Sequence, residues 1–506
     1  MRGIHNNIGD IRRKVFAAVA KMAYDGNYSK LRALPFDILP GEDATYRDSI
    51  FVERAIVSER VRLACGLPLR SLDDYAPTDS GLEESAIAEK YYNPPLVNII
   101  KFACNACPEK RVVVTNMCQG CLSHPCVEVC PKKAVSIVKG HSYIDQDKCI
   151  KCGKCVDACE YNAIIKQERP CSKSCGMNAI HSDDHGRAEI DYDKCVSCGM
   201  CMANCPFGAI ADKSQILQVC TAIRKGVKLM AIVAPAFVGQ FGPELTPARL
   251  PAAMKALGFS GVKEVAIGAD LCTIDEAKDF VEKVPSELPF MATSCCPAWS
   301  VMVKKLFPDL KNTISMALTP MVLTARMVKR KYPDHKVCFV GPCAAKKLEA
   351  MRRSIRSDVD FVLTYEELAG MFDAKKVDFS SLEERPDFGK GTAAGRGFAV
   401  SGGVAGAVVD LIKKDYPDKD IKVASAQGLS ECRKMMSLAK AGKYNGYLLE
   451  GMGCPGGCVG GAGTLTAWNK ASGEVVKYKN EADKHVADET EYADYLELLL
   501  ELDDDD

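Results

Sequence analysis

Leu288-Pro-Phe-Met-Ala-Thr-Ser-Cys-Cys-Pro-Ala-Trp299 is the stretch on which the reading of this 506-residue chain turns. Its first part, through Ala292, is a short apolar run of the kind that ends a buried strand. Pro297 then bars a helix through the two thiols before it. Two adjacent cysteines cannot both face one packed core. A strand that stops in a tight turn here therefore offers Cys295 and Cys296 to metal or thiol chemistry.

Outward from this turn, 227–234, 262–267, 290–293, 337–340, 359–363 and 447–449 read as buried strands, and 246–257, 275–284, 298–307 and 318–331 as helices. Strand and helix in alternation predict an α/β region with parallel sheet over 226–465, where ligands collect beyond the carboxyl ends of strands. More cysteines fall at such ends: Cys343 in Val340-Gly-Pro-Cys-Ala-Ala-Lys346, and Cys454 and Cys458 in Glu450-Gly-Met-Gly-Cys-Pro-Gly-Gly-Cys-Val-Gly-Gly461. The glycines permit positive φ and close approach to a bulky ligand. A phosphate loop is the competing reading. The Gly-Lys-Ser/Thr ending and the dinucleotide fingerprint are both absent, and two cysteines bracket the glycines, which favours metal.

Lys+Arg 66 against Asp+Glu 66 gives no bulk charge for nucleic acid or an anionic membrane. No apolar run reaches membrane-spanning length. Arg12-Arg13 is followed by a stretch too short and too charged for a twin-arginine export signal, so the expected location is the cytoplasm. In that reduced compartment 26 cysteines read as metal ligands rather than disulfides.

Sixteen of them lie between Cys104 and Cys205, in a ferredoxin-like region over 96–215. Cys149-x2-Cys152-x2-Cys155-x3-Cys159 and Cys195-x2-Cys198-x2-Cys201-x3-Cys205-Pro206 have the bacterial ferredoxin spacing, in which three close thiolates hold one 4Fe-4S cluster and the fourth reaches a second. Cys118-x2-Cys121-x4-Cys126-x3-Cys130 is a looser version, as in multi-cluster ferredoxin-like subunits, which the region resembles. Cys104-x2-Cys107 and Cys171-x3-Cys175 supply the two ends of a motif split by an insertion. Sixteen thiolates make four clusters. By the crossover rule these are Cys118, Cys121, Cys126 with Cys159; Cys149, Cys152, Cys155 with Cys130; Cys195, Cys198, Cys201 with Cys175; and Cys104, Cys107, Cys171 with Cys205. A structural zinc at Cys104, Cys107, Cys171 and Cys175 is the alternative.

Residues 1–95 read as mostly helical, with 8–23 and 49–65 at helical spacing, either as a small layer packed on the downstream domains or as a docking surface. In 466–506, 492–502 reads as an amphipathic closing helix before the acidic Asp503-Asp-Asp-Asp506. Cys65, Cys220, Cys272, Cys338 and Cys432 read as small buried hydrophobes, and His124, His141, His181 and His185 as surface or loop histidines.

Thr293-Ser-Cys-Cys-Pro-Ala-Trp299, Gly341-Pro-Cys-Ala-Ala-Lys-Lys-Leu-Glu349 and Glu450-Gly-Met-Gly-Cys-Pro-Gly-Gly-Cys458 resemble the three signatures of the iron-only (FeFe) hydrogenases, in order and beside a cluster wire. The resemblance implies two parallel-sheet lobes with the site in the cleft between them. It also implies an H-cluster: a 4Fe-4S cube on Cys296, Cys343, Cys454 and Cys458, bridged through Cys458 to a di-iron unit with CO, cyanide and a dithiolate. That unit would be held by packing beside Ala234 and Pro235 and by a hydrogen bond from Lys346. The implied reaction is reversible heterolysis of H2, with a ferredoxin-type electron carrier and maturation proteins for the di-iron unit. Cys295 becomes the first proton acceptor, a role that suits a thiol of ordinary pKa about 8.5. Glu276, Ser315 and Asp279 carry the proton onward, although Thr273-x-x-Glu276 is equally a capping box and Asp279 equally a solvated charge near Lys278 and Lys283. Gly341, Met321 and Ala236 stand where the family commonly has methionine, glutamine and serine, and Gly341 leaves room for water. The alternatives are a hydrogenase-like iron-sulfur assembly protein and an H2 sensor.

Overall fold

The computed structural model describes residues 3–4, 6–385 and 388–501. The acidic run 503–506 lies outside the described residues.

Two parallel sheets are built from strands between Leu229 and Met452. In the first, Gly261–Glu264, Leu229–Val233, Lys336–Gly341 and Phe361–Thr364 lie side by side in that order. In the second the order is Met291–Ala292, Tyr447–Met452, Lys422–Gln427. Leu229–Val233 is buried along its whole length, as a strand covered on both faces requires. Lys422–Gln427 has no apolar run because it is the edge of its sheet and largely exposed, so periodicity does not reveal it.

The 262–267 strand expectation needs correction: the strand stops at Glu264, and Ala266–Lys283 is one long helix. Ile267 belongs to that helix, whose first turns are too apolar to show an amphipathic stripe. Helices Pro297–Leu306 and Pro320–Lys331 each begin with proline, whose missing N–H costs nothing at a helix start. The closing helix is shorter than its amphipathic pattern, Tyr495–Leu500.

At the N-terminus, Asn7–Asp25 is capped by the Asn6 side chain and buries Val15, Phe16, Val19 and Ala23 in the same core as Leu368, Met371 and Phe372 of helix Tyr365–Lys375. Arg12 reaches Glu366 across this contact at 2.5 Å.

The cysteine-rich region contains two small units of like design. In one, Val97–Ile99 pairs antiparallel with Ile210–Asp212, and Ile180–Ser182 with Ala188–Ile190. In the other, Arg111–Val114 pairs with Ile164–Gln167, and Val135–Val138 with His141–Ile144. The second unit is nested inside the first, entered after Cys107 and left before Cys171. Lys347 ties the outer unit to the catalytic lobes: its buried ammonium lies 2.7 Å from both Asp212 and Glu367 and donates to the Lys213 carbonyl at 2.9 Å.

Candidate active site and cluster wire

Ala234 and Val265 follow the first two sheet-one strands in sequence, Pro342 and Cys343 the third, Cys295 and Cys296 follow Met291–Ala292, and Gly453 and Cys454 follow Tyr447–Met452. All of them line one cavity of about 90 Å³ between the sheets. Strand ends from both sheets thus converge on the cleft. The turn carrying the paired cysteines is pinned by Trp299, fully buried, whose Nε1 donates to the Thr293 carbonyl at 3.1 Å. A side chain on Gly451 would meet the Trp299 ring at 2.1 Å, so only glycine lets strand and ring meet. Glu450 accepts N–H groups from Gly402 and Ala405, capping helix Gly403–Asp415 and so fixing the end of the strand before Cys454.

Cys296, Cys343, Cys454 and Cys458 converge on this cavity with Cys295. Burial, with their mutual charge adding, pushes the Cys343 thiol up to about 11 and that of Cys458 up to about 12, and Cys454 well above the ordinary range. Iron relieves this cost by taking the thiolate form. The accessible lining is almost wholly apolar, and Lys346 supplies its single ammonium. Glu349 keeps that buried ammonium charged from 2.6 Å against the cost of burial, while Thr319 accepts from Lys346 at 3.1 Å and donates to Glu349 at 2.6 Å. Four soft thiols and one cation on an apolar cavity fit an anionic iron-sulfur group. Reading the signatures alone misses Thr319 and Glu349; the Lys-x-x-Glu spacing on helix Ala345–Glu349 was the available signal. It also misses Tyr365, whose hydroxyl donates to the Ala234 carbonyl at 2.9 Å and whose helix opens with the capping box Thr364-x-x-Glu367.

Gly341 does not leave room for water. A Cβ there would lie 2.5 Å from the Phe339 ring, which already fills the space and lines the cavity. Met321 and Ala236 are both buried at the same wall.

Glu276 is not a helix cap. Thr273 lies two turns inside helix Ala266–Lys283, and its hydroxyl donates to the Ala269 carbonyl. Glu276 is fully buried, accepts from Ser294 N at 2.8 Å and Ser294 Oγ at 3.1 Å, and has Ser315 beside the same carboxyl. Its other oxygen, Oε2, meets no hydrogen-bond partner among the described residues. Burial, only partly offset by these hydrogen bonds, pushes Glu276 up to about 7. Glu276 lies within electrostatic reach of Cys295, where burial first, then the charge of Glu276 and Cys296, holds the thiol well above the ordinary range. Asp279 lies one turn on, half-buried and paired with Lys283 at 2.7 Å. Cys272, fully buried, also borders Glu276.

The sixteen upstream cysteines share one loop geometry. The residue before the second cysteine of each motif has positive φ: Ala106 (44°), Gly120 (60°), Lys151 (59°) and Ser197 (52°). The residue three places after the last cysteine does too: Lys133 (51°), Asn162 (52°), Asn178 (52°) and Gly208 (58°). Left-handed residues turn successive N–H groups inward. Ala134, Ala163 and Ala179 donate N–H to Cys130, Cys159 and Cys175 at 3.2, 3.4 and 3.4 Å. The split motif thus has the same loops as the intact ones.

Several of the thiols lie close together. Cys104, Cys107, Cys171 and Cys205 line one small cavity. Cys155 has Cys149, Cys130 and Cys152 as neighbours whose charge adds to burial in raising it. Cys201 has Cys198, Cys195 and Cys175 in the same role. Ser142 meets both Cys118, through N–H at 3.5 Å, and Cys126, through Oγ at 3.1 Å, and Cys126, Cys130, Cys149, Cys155 and Cys159 share one core. Cys175 is not among the residues lining the cavity shared by Cys104, Cys107, Cys171 and Cys205. Among the described residues no three His, Cys, Asp or Glu side chains are placed to share a single ion. Cubes differ, because they hold their thiolates at separated corners. Cys198 in turn neighbours Cys343 and Cys454. The other five cysteines, Cys65, Cys220, Cys272, Cys338 and Cys432, are all fully buried.

Comparison with known proteins adds to this geometry. The model of the iron only hydrogenase large subunit, C-terminal domain, matches residues 227–462. Two 4Fe-4S dicluster domain models match 148–209 and 117–164. The chain is 32% identical over 372 residues to iron hydrogenase 1 of Clostridium pasteurianum, covering 63% of this chain and 64% of that protein. It is 32% identical over 372 residues to the periplasmic [Fe] hydrogenase large subunit of Nitratidesulfovibrio vulgaris, covering 63% of this chain and 85% of that protein. A more distant relative, 25% identical over 45% of this chain and 59% of its own length, is the cytosolic iron-sulfur assembly component 3 of Bos taurus.

Proposed function

The chain belongs to the iron-only hydrogenase family, and on that premise we propose that it catalyses reversible H2 oxidation and proton reduction. The observation that carries the reading is the convergence of Cys296, Cys343, Cys454, Cys458 and Lys346 on one cavity, with Cys295 on its wall and Glu276 within electrostatic reach of that thiol. The four thiolates would hold the cube of an H-cluster, Cys458 bridging to the di-iron unit, with Ala234, Pro235 and the Lys346 ammonium around that unit. When bound, this group supplies the redox centre at which H2 is split, and four upstream cubes supply one-electron transfer toward a ferredoxin-type carrier.

The chain's own residues manage the proton. The raised Cys295 thiol holds a proton at neutral pH beside the cavity. Glu276, pushed up to about 7 by burial, can itself take up or release a proton near neutral pH. Ser315 lies next on the same carboxyl, and Asp279, one turn along the helix, reaches water. The apolar walls, with Phe339 filling the place beside Gly341, keep other water out. Maturation proteins would supply the di-iron unit. The working location is the cytoplasm; no helix among the described residues is long and apolar enough to cross a membrane.

Infrared spectra of the matured chain test the reading. Sharp CO and cyanide bands are expected, and their absence after maturation would leave the assembly-protein alternative. Iron analysis should give about 22 atoms per chain, four accessory cubes with the six irons of the H-cluster.

A further inference from the structure

The outer cysteine unit meets the catalytic lobes through two glycines, each next to a cluster cysteine. Gly199, after Cys198, has φ +78°, and a Cβ there would lie 2.5 Å from Ala462 Cβ and 3.2 Å from Ala344 Cβ, the neighbour of Cys343. Gly176, after Cys175, is buried and has no positive φ, so its backbone suits any residue. Yet a Cβ on Gly176 would lie 2.5 Å from Ser430 N, 2.6 Å from Leu429 Cβ and 2.7 Å from the Leu429 carbonyl carbon. These atoms open helix Leu429–Lys440, and two of the three are backbone, which cannot swing away. Behind the contact, Cys175, Cys195 and Cys198 pack on the same core as Leu429, Cys296 and Cys343. Whatever separates Gly176 from Leu429 therefore also separates the thiols of the two cubes.

We infer that Gly176 is a positioning residue: its missing side chain sets the gap between the cube held by Cys175, Cys195, Cys198 and Cys201 and the cube held by Cys296, Cys343, Cys454 and Cys458. The inference rests on the ligand sets of the proposed function. Electron transfer and magnetic coupling between two cubes both fall steeply with their separation. A single methyl group at Gly176 thus acts on the junction without touching a thiol or changing a backbone preference.

The test uses the full chain made without maturation proteins and reconstituted with iron and sulfide, so that only cubes are present. Electron paramagnetic resonance of the reduced chain reads the spin–spin interaction across the junction. The interaction inside the outer unit, with the cube on Cys104, Cys107, Cys171 and Cys205, is the internal reference. In Gly176→Ala the interaction across the junction should weaken at least two-fold, with the internal one unchanged. An unchanged junction interaction overturns the inference. Equal loss of both overturns it as well, because the glycine would then serve its own loop and not the gap. A chain that shows the junction effect but no CO or cyanide bands after maturation would keep this inference and lose the hydrogenase reading.

Discussion

The Phe339 ring occupies the space that a side chain at Gly341 would need, with the ring carbon 2.5 Å from a Cβ built there. The two positions are one packing unit at the cavity wall. Gly341→Met should overpack it and cost about 1–3 kcal/mol. Phe339→Ala alone should open a void and cost about 3–5 kcal/mol. The double variant should be more stable than the sum predicts, because residues in contact do not add. Thermal unfolding of the four chains reads this coupling, and simple additivity would show that ring and glycine are independent.

Cys295 and Glu276 should act as one proton path. Cys295→Ala and Glu276→Gln should each lower turnover on the order of 10²-fold or more, the usual worth of a positioned acid–base group. The double variant should lose little beyond the worse single one. Infrared bands of the matured chain should remain. Turnover that survives Glu276→Gln would move the path elsewhere.

Lys347 is buried with Asp212 and Glu367, and their charge outweighs burial to keep it protonated. Lys347→Met removes the cation and leaves two uncompensated buried carboxylates, so a loss of about 3–5 kcal/mol is expected. Because the pair links the outer cysteine unit to the lobes, amide exchange should rise first along Ile210–Asp212. Uniform exchange would contradict the link.

Asp270 is buried and accepts from Thr392 N at 2.9 Å and Thr392 Oγ1 at 2.6 Å, yet burial outweighs both and pushes it up to about 7. A carboxyl raised on folding stabilises the fold most when protonated. Its contribution is full below its ordinary value of 3.8 and is lost as pH climbs to about 7. Relative to Asp270→Asn, the native chain should therefore lose stability across that window and run parallel outside it. Denaturant unfolding at several pH values measures the difference.

Much of this was legible from sequence because it is local. The parallel α/β pattern, the strand-end cysteines and the Cys-x2-Cys loops each depend on residues within one turn or strand. The edge strand Lys422–Gln427 was not legible, since exposure on its outer side removes the apolar signal. The second half of the helix carrying Glu276 was legible as 275–284, but its first turns were not, because 266–273 is buried without a break and shows no amphipathic stripe. That one element separates a buried carboxyl from a helix cap, a choice the Thr-x-x-Glu spacing leaves open.

The cysteine spacing alone marks sixteen upstream thiols as cluster-type loops, and the three later motifs are recognisable from their residues. The nesting of one cysteine unit within the other, the Phe339 ring in the place beside Gly341, and the meeting of the outer cysteine unit with the two-sheet region at Gly176 and Gly199 come from packing. The reason is physical. Ligand spacing is read along the chain, whereas nesting, filled space and the gap between cubes are long-range contacts, set by how separate elements pack and by side chains that are not there.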